Sequence, residues 1–440
     1  MKMMQEQKYQ LQCVACGHIT PDFGMWFEQN QVCPECGSKH SEVWYHTDYL
    51  ELPELMKGKV ESFWQYFPFL PLTDRTNIIT CTEGGIPLER WSFLEEFAKE
   101  KYNLSIQVHV YRNDLNGGTG TFKDVSASLA ASIFKEYGIE QYCVASTGNA
   151  ATSYATYLSI AGVNCSVFLP ENVLKASEAF ISAYGQQVFR VKGDYSKAKV
   201  IASGYSSKHH ILMSNGNIDP IRVEAKKTMV FEWLRQMGKM PDVYIQAVSG
   251  GTGPIAIDKG VREIKSVYPG IKNPRFILIQ PDKCDPMVQA WEKAEKDNFP
   301  PGFENEYPII ENPDTEIPTL ATGHPATYPI IAKLVKEVEG NFVRIAEAGI
   351  ADYARLVAFE SKVMLGPASA VCIAGFFESL KKGLVKEGET VLLNVGEGVR
   401  RAPEFVDKMN YTTKEVDQVD QCNPHTMEFY RKQLWDAVTN

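Results

Sequence analysis

Lys123 follows three glycines in GGTGTFKD (Gly117–Asp124) and opens a stretch, Thr121 to Tyr137, that the sequence predicts to be a helix. A positive charge at that position opposes the helix dipole, whose N-terminal end is itself positive. The ammonium form is disfavoured and the pKa falls, which leaves a neutral amine able to form a Schiff base with an aldehyde. Two further glycine-containing turns follow apolar runs. In ASTGNAATS, Ser146, Thr147, Gly148 and Asn149 open a helix whose free N–H groups suit a carboxylate. In AVSGGTGPIA, Gly250, Gly251, Thr252 and Gly253 follow a buried strand, where consecutive N–H groups and a hydroxyl suit a phosphate.

Taken alone, the third turn is ambiguous. GTGPIA fits the dinucleotide fingerprint with alanine last, and Asp282 follows the next strand, so a nicotinamide-dependent dehydrogenase is a rival reading. A nucleoside-triphosphate loop is excluded, because the lysine and hydroxyl residue that end that motif are missing. The dehydrogenase has no use for Lys123. Pyridoxal phosphate accounts for all three turns, since it is an aldehyde, carries a phosphate and reacts with amino acids, which carry a carboxylate.

Four of the ten cysteines form two pairs, Cys13 with Cys16 and Cys33 with Cys36, and each pair is followed by glycine. In a reducing compartment this spacing predicts a tetrahedral zinc ribbon. Nucleic-acid binding or metal catalysis is the functional alternative, but four thiolates leave no open coordination position, which favours a structural clip. The scattered cysteines Cys81, Cys143, Cys165, Cys284, Cys372 and Cys422 read mostly as small core residues.

These groups need a scaffold. The chain has 440 residues, 44% hydrophobic and 22% charged, enough for two or three domains with real cores. A net charge of −9 without a basic run argues against nucleic acid or an acidic membrane surface as partner. MKMMQEQKYQLQC has no apolar core and no run reaches the length of a membrane span, so the expected compartment is the cytoplasm. From about residue 50, short apolar strands (IQVHVYRN, QYCVAS, CSVFLP, QQVFRV, HHILMSN, VYIQAV, RFILIQ and VLLNV) alternate with helical stretches, among them GNAATSYATYLSIA and one around Arg222 to Met237. Alternation of this kind predicts an α/β fold with mostly parallel sheets. Ligands are then expected beyond the carboxyl ends of the strands. A final helix, PHTMEFYRKQLWDAV, is expected to pack on the body or on a second subunit.

With these motifs in place, the chain resembles the fold-type II pyridoxal-phosphate enzymes, the group of threonine synthase, cysteine synthase and the tryptophan synthase β-subunit. Four segments match in order: TEGGIPL (Thr82–Leu88), TGTFKD around Lys123, STGNAA from Ser146, and GPASAV (Gly366–Val371). The resemblance covers about residues 80 to 400, and a zinc-ribbon-like segment also occurs in some threonine-synthase-like proteins. It implies two open twisted α/β domains. Expected divisions are a zinc-ribbon-like segment (1–46), a large cofactor domain in two parts (47–139 and 226–410), a smaller mobile domain (140–225) and a C-terminal extension (411–440). A homodimer is also implied.

The same resemblance assigns roles. Lys123 would carry the cofactor, Asn149 would bond the pyridoxal 3′-oxygen, Gly250 to Gly253 would bind its phosphate, and Ser146, Thr147 and Gly148 would hold the substrate carboxylate. Relatives place serine or threonine opposite the pyridine nitrogen; NVGEGV puts Val395 there, with Asn394 or Glu397 as substitutes. Two changes from the threonine synthase pattern weigh against phosphohomoserine as substrate: Val125 follows the lysine–aspartate pair in place of arginine, and EAKKT (Glu224–Thr228) stands in place of glutamate-glycine-glutamine-lysine-threonine. GKMPDVYIQAVSGGTGPIA (Gly238–Ala256) resembles the matching segment of the cysteate synthases, which join O-phosphoserine and sulfite. Both phosphate and sulfite are anions, so a positive pocket is required; Arg112, Arg222 and Lys227 are its candidate cations, with Thr119 and Thr121 as hydroxyl donors. A strand-end salt bridge is the alternative for Arg112. The loop ATGHPATYP (Ala321–Pro329) is expected to line the pocket, with His324 an ordinary loop histidine.

Overall fold

A computed structural model describes residues 7–422 and 424–439. The first six residues, which were part of the reading for a secretion signal, together with Asn423 and Asn440, lie outside the described residues. Thirteen strands form three sheets. β1 (Tyr9–Cys13), β2 (Ile19–Thr20) and β3 (Ser41–Tyr45) make a small antiparallel sheet in the order β2-β1-β3. β6 (Gln141–Ala145), β7 (Asn164–Pro170), β8 (Gln187–Val191) and β9 (Leu212–Met213) make a parallel sheet in the order β8-β7-β6-β9. The largest sheet combines β4 (Leu88–Arg90), β5 (Gln107–Arg112), β10 (Val243–Ala247), β11 (Arg275–Pro281), β12 (Asn341–Ile345) and β13 (Thr390–Val395), in the order β12-β11-β10-β13-β5-β4. All its pairs are parallel except β4 with β5.

The expected strands and helices are present, and the differences have physical causes. HHILMSN keeps only Leu212–Met213 as a strand, because His210 is in the left-handed cap that closes the preceding helix. The helix after Lys123 runs Asp124–Glu136, with Lys123 as its N-cap. β4 and β12 escaped the sequence reading: LER is too short for alternation to register, and NFVRI follows a helix without an apolar run of its own. Within the large sheet, side chains alternate between two cores, as the period of two requires. Val243 and Ile245 enter one core and Tyr244 the other; Val391 and Leu393 share the first, and Leu392 the second. The C-terminal helix Met427–Thr439 packs on the body, with Trp435 stacked on Phe97 at 5.2 Å. Among the described residues no helix is long and apolar enough to cross a membrane.

The N-terminal ribbon is pinned to both α/β units. Gln31 donates to the carbonyl of Met213 (2.6 Å) beside the smaller sheet, and Lys259 donates to the carbonyl of Val43 (2.6 Å) beside the larger one. Its cysteine knuckles close through backbone bonds from Gly17 to Cys13 and from Gly37 to Cys33, and both glycines have positive φ, which a side chain would strain. Under the ribbon lies a buried ionic cluster. Lys227 pairs with Glu224 and Glu263 at 2.6 Å each, Lys259 pairs with the same two carboxylates, and the Tyr45 hydroxyl donates to Glu224. Removing one member of such a cluster leaves a charge buried without its partner. Lys227→Met is expected to lower the unfolding free energy by about 3 kcal/mol, read from denaturant midpoints; a loss below about 1 kcal/mol would mean that water replaces the lysine at no cost.

Candidate functional site

The carboxyl ends of the two α/β sheets face one cavity. Its lining includes Phe122 and Lys123 from the first glycine turn, Ser146, Thr147 and Asn149 from the second, and Gly250, Gly251 and Thr252 from the third. Arg222, Asn217, Gln246, Tyr195, Asn394 and Glu397 complete the wall, with Thr319 and Thr322 at one side.

The first turn is held by the residue after the lysine. Asp124 accepts from the Thr119 hydroxyl (2.6 Å) and from the backbone N–H groups of Thr119 (3.2 Å) and Thr121 (2.9 Å). An acidic residue is favoured in a first helical turn, although burial still pushes its pKa up to about 6. The turn is also stitched to the end of β13: Phe122 N–H donates to the Gly396 carbonyl (3.1 Å), and Thr121 forms an antiparallel bridge with Glu397. These bonds set Lys123 beside Glu397. Its amine is brought down to about 7, first by burial and then by the Arg222 guanidinium, with Glu397 opposing. The direction matches the sequence expectation, and the leading cause is burial, with the position at the helix start adding to it.

The second turn is capped by Ser146, whose hydroxyl accepts from the N–H groups of Gly148 and Ala151, both at 3.1 Å. Asn149 donates its Nδ2–H to Glu397, and its Oδ1 is buried with no hydrogen-bond partner among the described residues. In the third turn, glycine is required by space. A Cβ at Gly250 would meet Asn217 Nδ2 at 1.7 Å, and one at Gly251, whose φ is +73°, would meet Ile331 at 2.1 Å. Thr252 donates to Asn217 (2.8 Å), and Ser249 shares a hydrogen bond with Thr322 (2.5 Å). Thr319 Oγ1, also in the cavity wall, is likewise buried without a partner among the described residues. A glycine cradle, a lysine amine of lowered pKa and orphaned polar atoms at Asn149 and Thr319 fit a phosphorylated aldehyde. Lys123, Asn149, Asn394 and the 249–252 turn would hold it, and the group would supply an electron sink for bonds at the amino acid α-carbon.

Several residues singled out in the sequence stand elsewhere. Arg112 is gripped by Asp114 (2.8 and 2.7 Å) and Glu89 (2.7 Å), the salt bridge at a strand end. Lys227 belongs to the ionic cluster under the ribbon. The hydroxyls of Thr119 and Thr121 bond Ser153 (2.9 and 3.3 Å), and neither residue is part of the cavity wall. Gly148 and Gly253 shape their turns from behind it, with Gly253 packed on Gln246. Val395 enters the core, because alternation along β13 turns Asn394 toward the cavity instead. Asn394 accepts from Asn113 (2.8 Å). His324 lies against the Tyr307 ring, as an ordinary loop histidine does, while Thr322 of the same loop reaches the wall. Asp282 accepts from the backbone of Glu347 (3.0 Å), away from the cavity where a ribose would need it. Glu397 was only a substitute in the sequence reading, and the structure makes it central: it meets Asn149 and the Ala368 N–H (3.0 Å) and faces Lys123. Its signal was a glycine on either side just after an apolar strand. Asn217, Gln246 and Tyr195 carried no such signal.

Comparison with known proteins agrees with this geometry. A family profile described as "Pyridoxal-phosphate dependent enzyme" matches residues 79–396. The threonine synthase of Methanocaldococcus jannaschii is 29% identical over 398 residues, 88% of this chain and 92% of that protein. That of Methanosarcina acetivorans is 26% identical over 389 residues, 87% and 90% of the two chains. The processed threonine deaminase isoform 2 of Solanum lycopersicum superposes with a TM-score of 0.59 at 19% identity, over 80% of this chain and 93% of that one. The cysteine synthase of Entamoeba histolytica does so with 0.57 at 16%, over 81% and 94%.

Because only the neutral amine attacks an aldehyde, covalent attachment of pyridoxal phosphate to Lys123 is expected to rise with pH through a midpoint near 7, as the lowered pKa requires. Arg222→Ala, which removes a positive neighbour, should move that midpoint upward. Absorbance of the protein-bound cofactor against pH tests both; a midpoint at the ordinary lysine value of 10.5 would contradict the burial of the amine.

Proposed function

The chain belongs to the pyridoxal-phosphate dependent enzymes, and we propose that it catalyses replacement at the β-carbon of O-phospho-L-serine by sulfite, giving L-cysteate and phosphate. The observation that carries this reading is Arg222. It lies in the cavity wall, buried, bonded to the Tyr154 and Ser214 hydroxyls at 3.1 and 2.8 Å, and no carboxylate pairs with it among the described residues. A guanidinium so placed suits a phosphate or sulfonate. The Ser146–Asn149 turn suits the α-carboxylate, and Lys123 is placed to take the α-proton and return it. In the net reaction the Cβ–O bond breaks with its electron pair on phosphate. The sulfur lone pair of sulfite forms the Cβ–S bond, and the α-proton goes back to Cα. Resemblance of Gly238–Ala256 to the cysteate synthases supports sulfite as nucleophile. Similarity to threonine synthases along 88% of the chain supports a second reading, threonine formation from O-phosphohomoserine and water.

Supplying the holoenzyme with either phosphorylated amino acid, with and without sulfite, separates the two. Cysteate and phosphate release that depends on sulfite is the expected result. Threonine from phosphohomoserine, with no turnover of phosphoserine, would move the activity to the second reading.

We also assign a structural zinc to the ribbon. The four sulfur atoms of Cys13, Cys16, Cys33 and Cys36 lie within 4.8 Å of one another, with Cys13–Cys36 and Cys16–Cys33 at 3.5 Å, which suits a tetrahedral thiolate site. Metal analysis should give about one zinc per chain, lost in Cys13→Ser with Cys33→Ser; full zinc in that double variant would reject the site.

A further inference from the structure

The helix Pro220–Met237 carries two basic side chains one turn apart, Arg222 and Lys226, which therefore project from the same face. Both are inside the protein, 7% and 1% exposed. Buried cations are normally paired with carboxylates, and the neighbouring ones obey: Lys227 and Lys259 share Glu224 and Glu263. Lys226 does not. Among the described residues its ammonium has no hydrogen-bond or salt-bridge partner, and its close contact is the face of the Phe122 ring, 4.8 Å from the centroid. The amine of Lys123 lies 4.1 Å from the centroid of the same ring. Burial first, then the charges of Lys123 and Arg222, disfavours its ammonium form, with Asp219 opposing. Asp219, which caps the helix by accepting from Ile221 N–H (3.0 Å), acts on both Arg222 and Lys226 from a distance, and among the described residues it forms no salt bridge with either. Lys123 and Arg222 thus line the cavity, and Lys226 meets the same end of it at the Phe122 ring, a wall residue that both lysines contact.

Water as the second reactant would gain nothing from a second unpaired buried amine. An anionic second reactant would, because it follows a phosphate through the same cavity and must be held while that phosphate leaves. We propose that Lys226 is a specificity-determining residue that completes, with Arg222, an oxyanion subsite beside Lys123 for the anionic nucleophile. The subsite rests on the reaction proposed above and names the group in this chain that selects sulfite over water. The ligand class is a small oxyanion of sulfur. The competing source of the same chemistry is the phosphate of the amino acid substrate.

The holoenzyme tests this with sulfate, which has the charge and shape of the ligand without its nucleophilic sulfur. Titration calorimetry of wild type and Lys226→Gln, with L-serine as a ligand that lacks the oxyanion, is expected to show sulfate binding weakened by about tenfold or more, the scale of one charge-assisted bond, with L-serine affinity unchanged. Lys226→Arg should restore sulfate binding, and in steady state Lys226→Gln should raise the KM for sulfite far more than that for O-phosphoserine. Lys226→Met serves if the glutamine variant fails to fold, and circular dichroism checks both.

Unchanged sulfate affinity in a folded variant would overturn the proposal. So would a loss confined to inorganic phosphate and O-phosphoserine, which would give Lys226 to the leaving group. If wild type fails to make cysteate yet loses sulfate on Lys226→Gln, the reaction fails and the subsite stands. If cysteate forms and sulfite KM is indifferent to Lys226, the subsite fails and the reaction stands.

Discussion

A lysine amine must be kept uncharged where water is scarce, and the rest of the site follows from that. Burial alone lowers the pKa, but a buried amine also needs a fixed position. The chain supplies it through backbone bonds between the Lys123 turn and the segment after β13. Asp124 spends both carboxylate oxygens on the same turn, so the loop is rigid before any ligand enters. Arg222 then works in two ways: it holds down the proton affinity of Lys123, and it offers an incoming anion a guanidinium that, among the described residues, no carboxylate pairs with directly. The single opposing carboxylate, Glu397, is tied to Asn149 and to the N–H of Ala368. That keeps it at the wall, where it opposes the positive field at Lys123.

The three glycine turns were readable from the sequence because each lies between an apolar strand and a helix, and that local grammar needs no distant partner. The sequence leaves Arg112 open between the pocket and a strand-end salt bridge, and it forms the salt bridge; Lys227, a candidate for the pocket, lies in the ionic cluster instead. Glu89 and Glu263 reach them through tertiary packing, whereas Asp114 and Glu224 are close in sequence, and a basic residue near a predicted site looks the same whether or not a carboxylate is committed to it. Asn394 and Val395 show a finer limit. Motif spacing counts residues, whereas a strand decides by parity which of two neighbours meets the ligand. Glu397 could have been found by asking why glycine flanks it on both sides; Gln246 and Tyr195 could not, because nothing local distinguishes them. The α/β class and the parallel sheets were legible throughout, and only short or weakly apolar strands such as β4 and β12 were lost.

The N-terminal ribbon matters to the site although it contributes no residue to the cavity wall. Its contacts reach the smaller sheet through Gln31 and the larger through Val43, so it spans the two units whose strand ends form the cavity. Tyr45, from the ribbon's last strand, bonds Glu224 on the helix that also carries Arg222 and Lys226. The ionic cluster under the ribbon therefore anchors the helix that delivers positive charge to the site. This links the cysteine knuckles to the chemistry by packing alone.

The order of strands in the large sheet has a further consequence for how the protein comes into being. β13 is the last strand in the chain, yet it sits between β10 and β5, in register with Gln107–Arg112 on one side and Val243–Ile245 on the other. A ribosome extrudes β5 and β10 long before their common neighbour exists. During synthesis those two edges stay open, and an open strand edge invites pairing with other chains. The same segment brings Glu397, so the lysine turn cannot settle until β13 and the residues after it have been made. The catalytic centre is thus the closing event of assembly, and a polypeptide stopped short of it has the glycine turns but not the wall that makes them a site.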